Sequence, residues 1–333
     1  MELIYPSYYK EFRCVANRCP DSCCHEWDVQ VDEEAAERYR AMEGKLGDDL
    51  RRFLYDEDGQ TYMRNENGRC PMWRDDGLCR IQAELGHEAL CQVCQQFPRL
   101  RQDYGDFVEL GLEMSCPEAA RIMLTQSDWN LESETVPGGD APDYDGELME
   151  LLRRSRPVAL ELLRDQSIPV NVRLARLLLY GYHIQGQIDG GEESAFDPTQ
   201  AQELMAQCAG QGCAGALVKF YQSLEILTER WAELLDHGGD TPNWTEELCK
   251  LAQYQIYRYY YQAVSDWDLA ARMKLIAAGC VLLAHLPGDV GRNIQLYAKE
   301  IENDAENVDA ILDGAFTQRG LTDVNLFALL AAD

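Results

Sequence analysis

Residues 14–27 read CVANRCPDSCCHEW, four cysteines within eleven positions, the last two adjacent and followed by a histidine. So dense a set of thiols signals a disulfide scaffold, a redox centre or a metal site. The choice decides how the first third of the chain folds, because ligation or cross-linking can stand in for a large apolar core. Nine of the thirteen cysteines lie before residue 117: Cys14, Cys19, Cys23, Cys24, Cys70, Cys79, Cys91, Cys94 and Cys116. The other four, Cys208, Cys213, Cys249 and Cys280, are scattered through helical-looking sequence and read as small buried hydrophobes.

The N-terminal MELIYPSYYKEF has no apolar run behind a basic start, so a cytoplasmic protein is expected. Thiols stay reduced there, which favours metal binding over disulfides. The longest strongly apolar run, LIAAGCVLLAHL at 275–286, is too short to cross a bilayer. Acidic residues number 58 against 30 basic ones, a net charge of -28. Such a surface repels phosphate, so neither nucleic acid nor membrane is expected as a partner. A lysine-bearing protein is attracted instead.

Helical periodicity covers 32–55, 145–164 (interrupted at Pro157), 170–187 and 200–235, and a long segment that opens at Thr241-Pro242 and runs to about 286. The stretch IQAELGHEALCQVCQQF at 81–97 reads as one helix with His87, Cys91 and Cys94 on a shared face. Strand alternation is confined to Trp27, Val29 and Val31, and to Val108, Leu110, Leu112 and Met114 after the turn-like DYGD at 103–106. An acid-, Pro- and Gly-rich stretch, 127–147, separates two regions. The expected fold is mainly α, with a cysteine-rich metal-binding region over 1–126 containing a small β element. An acidic linker over 127–147 and a helical domain over 148–333 follow.

Thiolates are soft, charged donors, and four of them close a tetrahedral site for zinc or for an iron–sulfur cluster. The spacings are C-x4-C-x3-C-C at 14–24, C-x8-C at 70 and 79, C-x2-C at 91 and 94, and Cys116. Adjacent Cys23 and Cys24 are expected to face apart and so to serve two sites, or one site and its surroundings. His25 reads as a hydrogen-bonding neighbour of such a site. The C-x3-C-x2-C loop of radical S-adenosylmethionine enzymes is absent, since Glu stands at position 26 after Cys19 and Cys23. Cys91-Gln-Val-Cys94 lies away from any βαβ pattern, which argues against thioredoxin-type redox chemistry. GQGCAG at 210–215 fits a dinucleotide fingerprint, but helical sequence precedes it, so a turn between helices is expected.

The segments FRCVANRCPDSCCHEWDVQVD (12–32), RCPMWRDDGLCRIQAELGHEALCQVCQQFPR (69–99) and MSCPEAARIML (114–124) together resemble the flagellin lysine-N-methylase family. That family shares its cysteine region with the zinc- or iron-chelating CxxCxxCC domain. The resemblance covers about residues 5–126 and, more weakly, 250–286. It implies methyl transfer from S-adenosylmethionine to lysine side chains of flagellin or another lysine-rich protein. It also implies an iron–sulfur cluster (4Fe-4S), with zinc as the alternative metal. The family pattern falls on Cys14, Cys19, Cys23, Cys24, Cys70, Cys79, Cys94 and Cys116, and Cys91 reads as an addition. The usual glycine motif of methyltransferases is absent, so the S-adenosylmethionine site must be built differently.

A lysine attacks only as the free amine, and its reference pKa is about 10.4, so a methylase must desolvate it or supply a base. In YQIYRYYY at 254–261, Tyr254, Tyr257 and Tyr261 share a helical face. Tyr257 and Tyr261 are the candidate catalytic residues, and core packing is the competing reading of the same stripe. The competing function is a non-catalytic metal-chelating or metal-sensing module whose helical domain binds a protein.

Overall fold

The computed structural model describes residues 1–25, 27–192, 194–239 and 241–332. Among the described residues, seven strands form two sheets. β1 (Glu2–Pro6), β5 (Arg99–Asp103), β6 (Phe107–Leu112) and β7 (Leu131–Thr135) make a four-stranded sheet in the order β5-β6-β1-β7. β2 (Val29–Val31), β3 (Leu54–Glu57) and β4 (Gln60–Met63) make a three-stranded one in the order β2-β4-β3. The alternation at 29–31 and at 108–112 does mark strands, and DYGD closes the β5–β6 hairpin. β1 runs parallel to β6 and antiparallel to β7, so β7 draws the 127–147 segment into the sheet.

The helices of the cysteine-rich part are short: α1 (Glu33–Ala41), α2 (Gly44–Phe53), α3 (Arg80–Leu85), α4 (Gln92–Gln96) and α5 (Pro117–Thr125). Asp32 caps α1 by accepting the Ala35 N–H at 3.0 Å. The single helix expected over 32–55 is broken, because Gly44 takes a φ of 80° and Leu54 begins a strand. The helix expected over 81–97 is broken too. Gly86, at φ 90°, ends α3, a short 3-10 turn follows at His87–Ala89, and α4 starts only after Cys91.

Ten helices follow: α6 (Gly146–Arg164), α7 (Val170–Ile188), α8 (Gln200–Cys208), α9 (Ala214–Gln222), α10 (Glu229–Asp236), α11 (Glu246–Tyr259), α12 (Leu269–His285), α13 (Val290–Tyr297), α14 (Ala305–Gly314) and α15 (Asp323–Leu330). Together with the small sheets this is a mainly α protein. Three sequence expectations change in detail. α6 runs straight through Pro157, where Ser155 turns its hydroxyl back onto the Leu151 carbonyl at 2.7 Å. The 200–235 segment is three helices, and GQGCAG is the turn between two of them, with Gly210 at φ 76°. Thr241-Pro242 stands ahead of α11, whose N-cap is Thr245.

Every residue of α12 is buried, the pattern of a helix apolar all round at the centre of a core. α7 crosses it closely: a Cβ on Gly181 would meet Met273 Cγ at 2.4 Å, so glycine is required there. This large core takes in the four-stranded sheet through Phe107 and Leu112 and through Tyr257 of α11. A smaller, separate core gathers Val29, Val31, Tyr39, Leu50, Met72 and Ile81 under the three-stranded sheet. Among the described residues no helix is long and apolar enough to cross a membrane.

Candidate metal centre

The small core is hollow beside its cysteines. A cavity of about 40 Å3 is lined by six thiols, those of Cys23, Cys24, Cys70, Cys79, Cys91 and Cys94. Three local structures deliver them. Cys23 and Cys24 lie in the turn before β2. Cys70 follows β4, and Cys79 is the N-cap of α3. Cys91 is the N-cap of α4, with Cys94 one turn along it. Elsewhere the wall is apolar, with Val29, Val31, Met63 and Met72.

The thiols are not independent. Cys24 accepts hydrogen bonds from Cys23 and then Cys70, which hold its pKa down to about 3, while each donor is pushed up as the cost of giving. Cys91 is lowered by the hydrogen bond from Cys94, which rises in turn. Cys79 is raised by burial, against the pull of backbone N–H groups at the start of α3. The expectation that Cys23 and Cys24 face apart is thus corrected: they share a hydrogen bond and one cavity.

Cys14, Cys19 and Cys116 stand outside the cavity lining, and the charge of Cys14 reaches both Cys19 and Cys116. Cys19 donates to the Asp21 carbonyl at 3.0 Å, and burial raises Cys116 to about 11. Cys91, set apart in the sequence as an addition, belongs to the cavity with the others. Its C-x2-C spacing to Cys94 was the signal for it. The four later cysteines are remote from it, and every cysteine is a free thiol. His25 packs its ring edge-on against Trp73, 4.3 Å between centroids, and His87 is exposed beyond the Gly86 break. Neither lines the cavity.

Soft sulfur donors alone, in an apolar wall, suit zinc or iron–sulfur chemistry. The space is ion-sized, about three water volumes. Among the described residues no three His, Cys, Asp or Glu side chains converge tightly enough to hold an ion as they stand. The donor set therefore fits by type and placement, and closing a shell asks for small movements of the turns that carry it.

Tyr257 and Tyr261 lie elsewhere, where the four-stranded sheet meets the helices. The Tyr257 hydroxyl donates to the Ile4 carbonyl at 3.1 Å and the Leu110 carbonyl at 2.9 Å, tying α11 to β1 and β6. Tyr261 lies under the Arg156 guanidinium, 3.5 Å from its ring centroid. Burial raises the pKa of both hydroxyls. Neither tyrosine lines the thiol cavity.

The chain is thus a mainly helical protein with a thiol-lined cavity in a small core of its own. Flagellar biosynthetic protein FliU of Salmonella muenchen is 29% identical to it over 133 residues, covering 37% of this chain and 77% of that protein. Lysine-N-methylase of Salmonella typhimurium is also 29% identical over 133 residues, covering 37% of this chain and 32% of that protein. Lysine-N-methylase of Salmonella choleraesuis gives the same values. The match therefore spans about a third of the lysine-N-methylases' length. No family model and no solved structure matches the chain. Over this stretch of 133 residues the chain is similar to FliU and to these two lysine-N-methylases.

Proposed function

We propose that the protein is a cytoplasmic S-adenosylmethionine-dependent methylase of lysine side chains, acting on flagellin or another lysine-rich protein. The observation that carries this reading is the likeness to two lysine-N-methylases and to FliU. The net charge of -28 supports it, since an acidic surface draws in a lysine-rich partner. Cys23, Cys24, Cys70, Cys79, Cys91 and Cys94 are the residues that would hold an iron–sulfur cluster or a zinc ion. When bound, such a centre would cross-link the turn before β2, the segment after β4 and the start of α4. A four-iron cluster asks these turns to draw apart further than a single zinc does.

The test is anaerobic purification, analysis for iron, acid-labile sulfide and zinc, and incubation with S-adenosylmethionine and flagellin. Lysine methylation read by mass spectrometry supports the proposal. A metal-loaded, folded protein that methylates neither flagellin nor any other basic protein overturns it and leaves the metal-chelating module.

A further inference from the structure

A second cavity, of about 150 Å3, opens where the end of α5, the 127–129 segment, the end of α6 and the start of α11 meet. One face of α11 supplies Glu246, Lys250 and Gln253 at i, i+4 and i+7, and Tyr8 and Trp129 face them. Two arginines in its wall are already engaged. Arg173 donates to the Leu163 carbonyl and to Glu246, and Arg164 donates to the Trp129 carbonyl and to Glu161.

Arg164 also pairs with Asp128 at 3.4 Å, whereas three buried polar groups of the wall are not engaged. Gln253 is only 8% exposed, yet its side chain makes no hydrogen bond among the described residues. The Trp129 indole N–H and the Tyr8 hydroxyl are likewise without partners there, although the two residues are 7% and 2% exposed. Lys250 gives one hydrogen bond, to the Leu124 carbonyl, and among the described residues no carboxylate lies in ion-pair range of it. Buried polar groups are ordinarily satisfied, and three such groups around one cavity, with Lys250 beside them, call for a ligand or for ordered water. The surplus is of donors, N–H and O–H, which suits an oxyanion. Carboxylates stand on the same wall, Asp128 paired through Oδ1 with Arg164 and Glu246 through Oε1 with Arg173, and their second oxygens suit an ammonium. A space of about 150 Å3 takes an amino-acid-sized group and is smaller than the usual pocket for a whole nucleoside.

We infer that this cavity binds an α-amino-acid zwitterion, its carboxylate held by Lys250, Gln253 and the Trp129 N–H and its ammonium by Asp128 and Glu246. Two sources share that chemistry. One is the methionine end of S-adenosylmethionine, its nucleoside reaching out through the cavity mouth, and this version rests on the methylase reading. The other is a free amino acid, which does not rest on it.

The experiment is titration calorimetry of the full-length protein with S-adenosylmethionine, L-methionine and L-methionine methyl ester, the last lacking the carboxylate. Lys250→Met and Gln253→Leu are compared after circular dichroism has shown them folded. Binding of L-methionine with S-adenosylmethionine, lost for the ester and weakened about tenfold in either variant, establishes the site as that of the donor's amino-acid end. Binding of L-methionine without S-adenosylmethionine establishes a free amino-acid site. Absence of binding at millimolar ligand, or binding that neither variant nor the ester weakens, overturns the inference and leaves a water-filled cavity. Should one variant fail to fold, the ester and the other variant still decide. Retained binding without methyl transfer counts against the methylase reading alone.

Discussion

Arg156 of α6 grips Glu109 of β6 through two hydrogen bonds, of 2.8 and 2.6 Å, with both side chains all but sealed from solvent. The same guanidinium lies over Tyr261 at 3.5 Å and Tyr257 at 5.3 Å. Arg156→Met alone leaves a buried carboxylate unpaired and should cost about 3–5 kcal/mol. The double variant with Glu109→Leu removes both charges and should recover most of that loss. Urea unfolding of the singles and the double gives the coupling directly, and additive losses would contradict it.

Tyr257→Phe removes one hydroxyl that serves two backbone carbonyls, Ile4 and Leu110. The expected cost is about 1–3 kcal/mol, because buried acceptors lose their donor. Methyl transfer should fall only as far as the folded fraction does. A large drop in turnover at unchanged unfolding midpoint would instead show the tyrosine acting on substrate.

Metal and fold should be coupled within the small core. Treating the protein with a chelator, or replacing Cys24 or Cys70 with Ser, should expose residues 29–93 to protease while α6–α15 resist. The two regions have separate cores, which is why they can part. Cys213→Ser, at an exposed thiol remote from the cavity, should change neither metal content nor cleavage. Equal digestion with and without metal would refute the coupling.

Glu302 follows α13 in a π-helical turn, 4% exposed, accepting a 2.9 Å hydrogen bond from Gln255 beside Arg258, Tyr254 and Tyr259. Burial raises its pKa, with Arg258 pulling the other way. A carboxyl raised on folding keeps the folded state better protonated than the unfolded one. Its burden is therefore absent below the unfolded pKa of about 4.3 and grows as pH rises through the folded value. Relative to Glu302→Gln, the wild type should lose stability on going from acid to neutral pH. A pH-independent difference in urea midpoint would rule this out.

The sequence was readable where signals were local. Asp145 announces α6, accepting the Leu148 N–H at 2.9 Å, and the DYGD turn announces the β5–β6 hairpin. It was unreadable where partners are distant or one residue overrides a pattern. β7 is exposed at every position and gains its structure only by pairing with β1. Helical periodicity at 81–97 gives no warning that Gly86 adopts φ 90°, and that break turns Cys91 into the cavity while sending His87 to solvent. Cysteine spacing marked the region of the candidate centre but not its membership, since the grouping of six thiols depends on how three turns meet. The amino-acid-sized cavity had no motif at all: Tyr8, Trp129 and Lys250 converge from widely separated parts of the chain.

The placing of β1 between β6 and β7 sets an order on the ribosome. β1 is held by partners that emerge more than a hundred residues later. The small core, by contrast, uses only residues 29–93, and its contacts close over shorter loops than those that hold β1. All six cavity thiols precede β7 in the chain. A nascent chain can therefore gather its cysteines, and meet whatever loads them, while its first strand still waits unpaired.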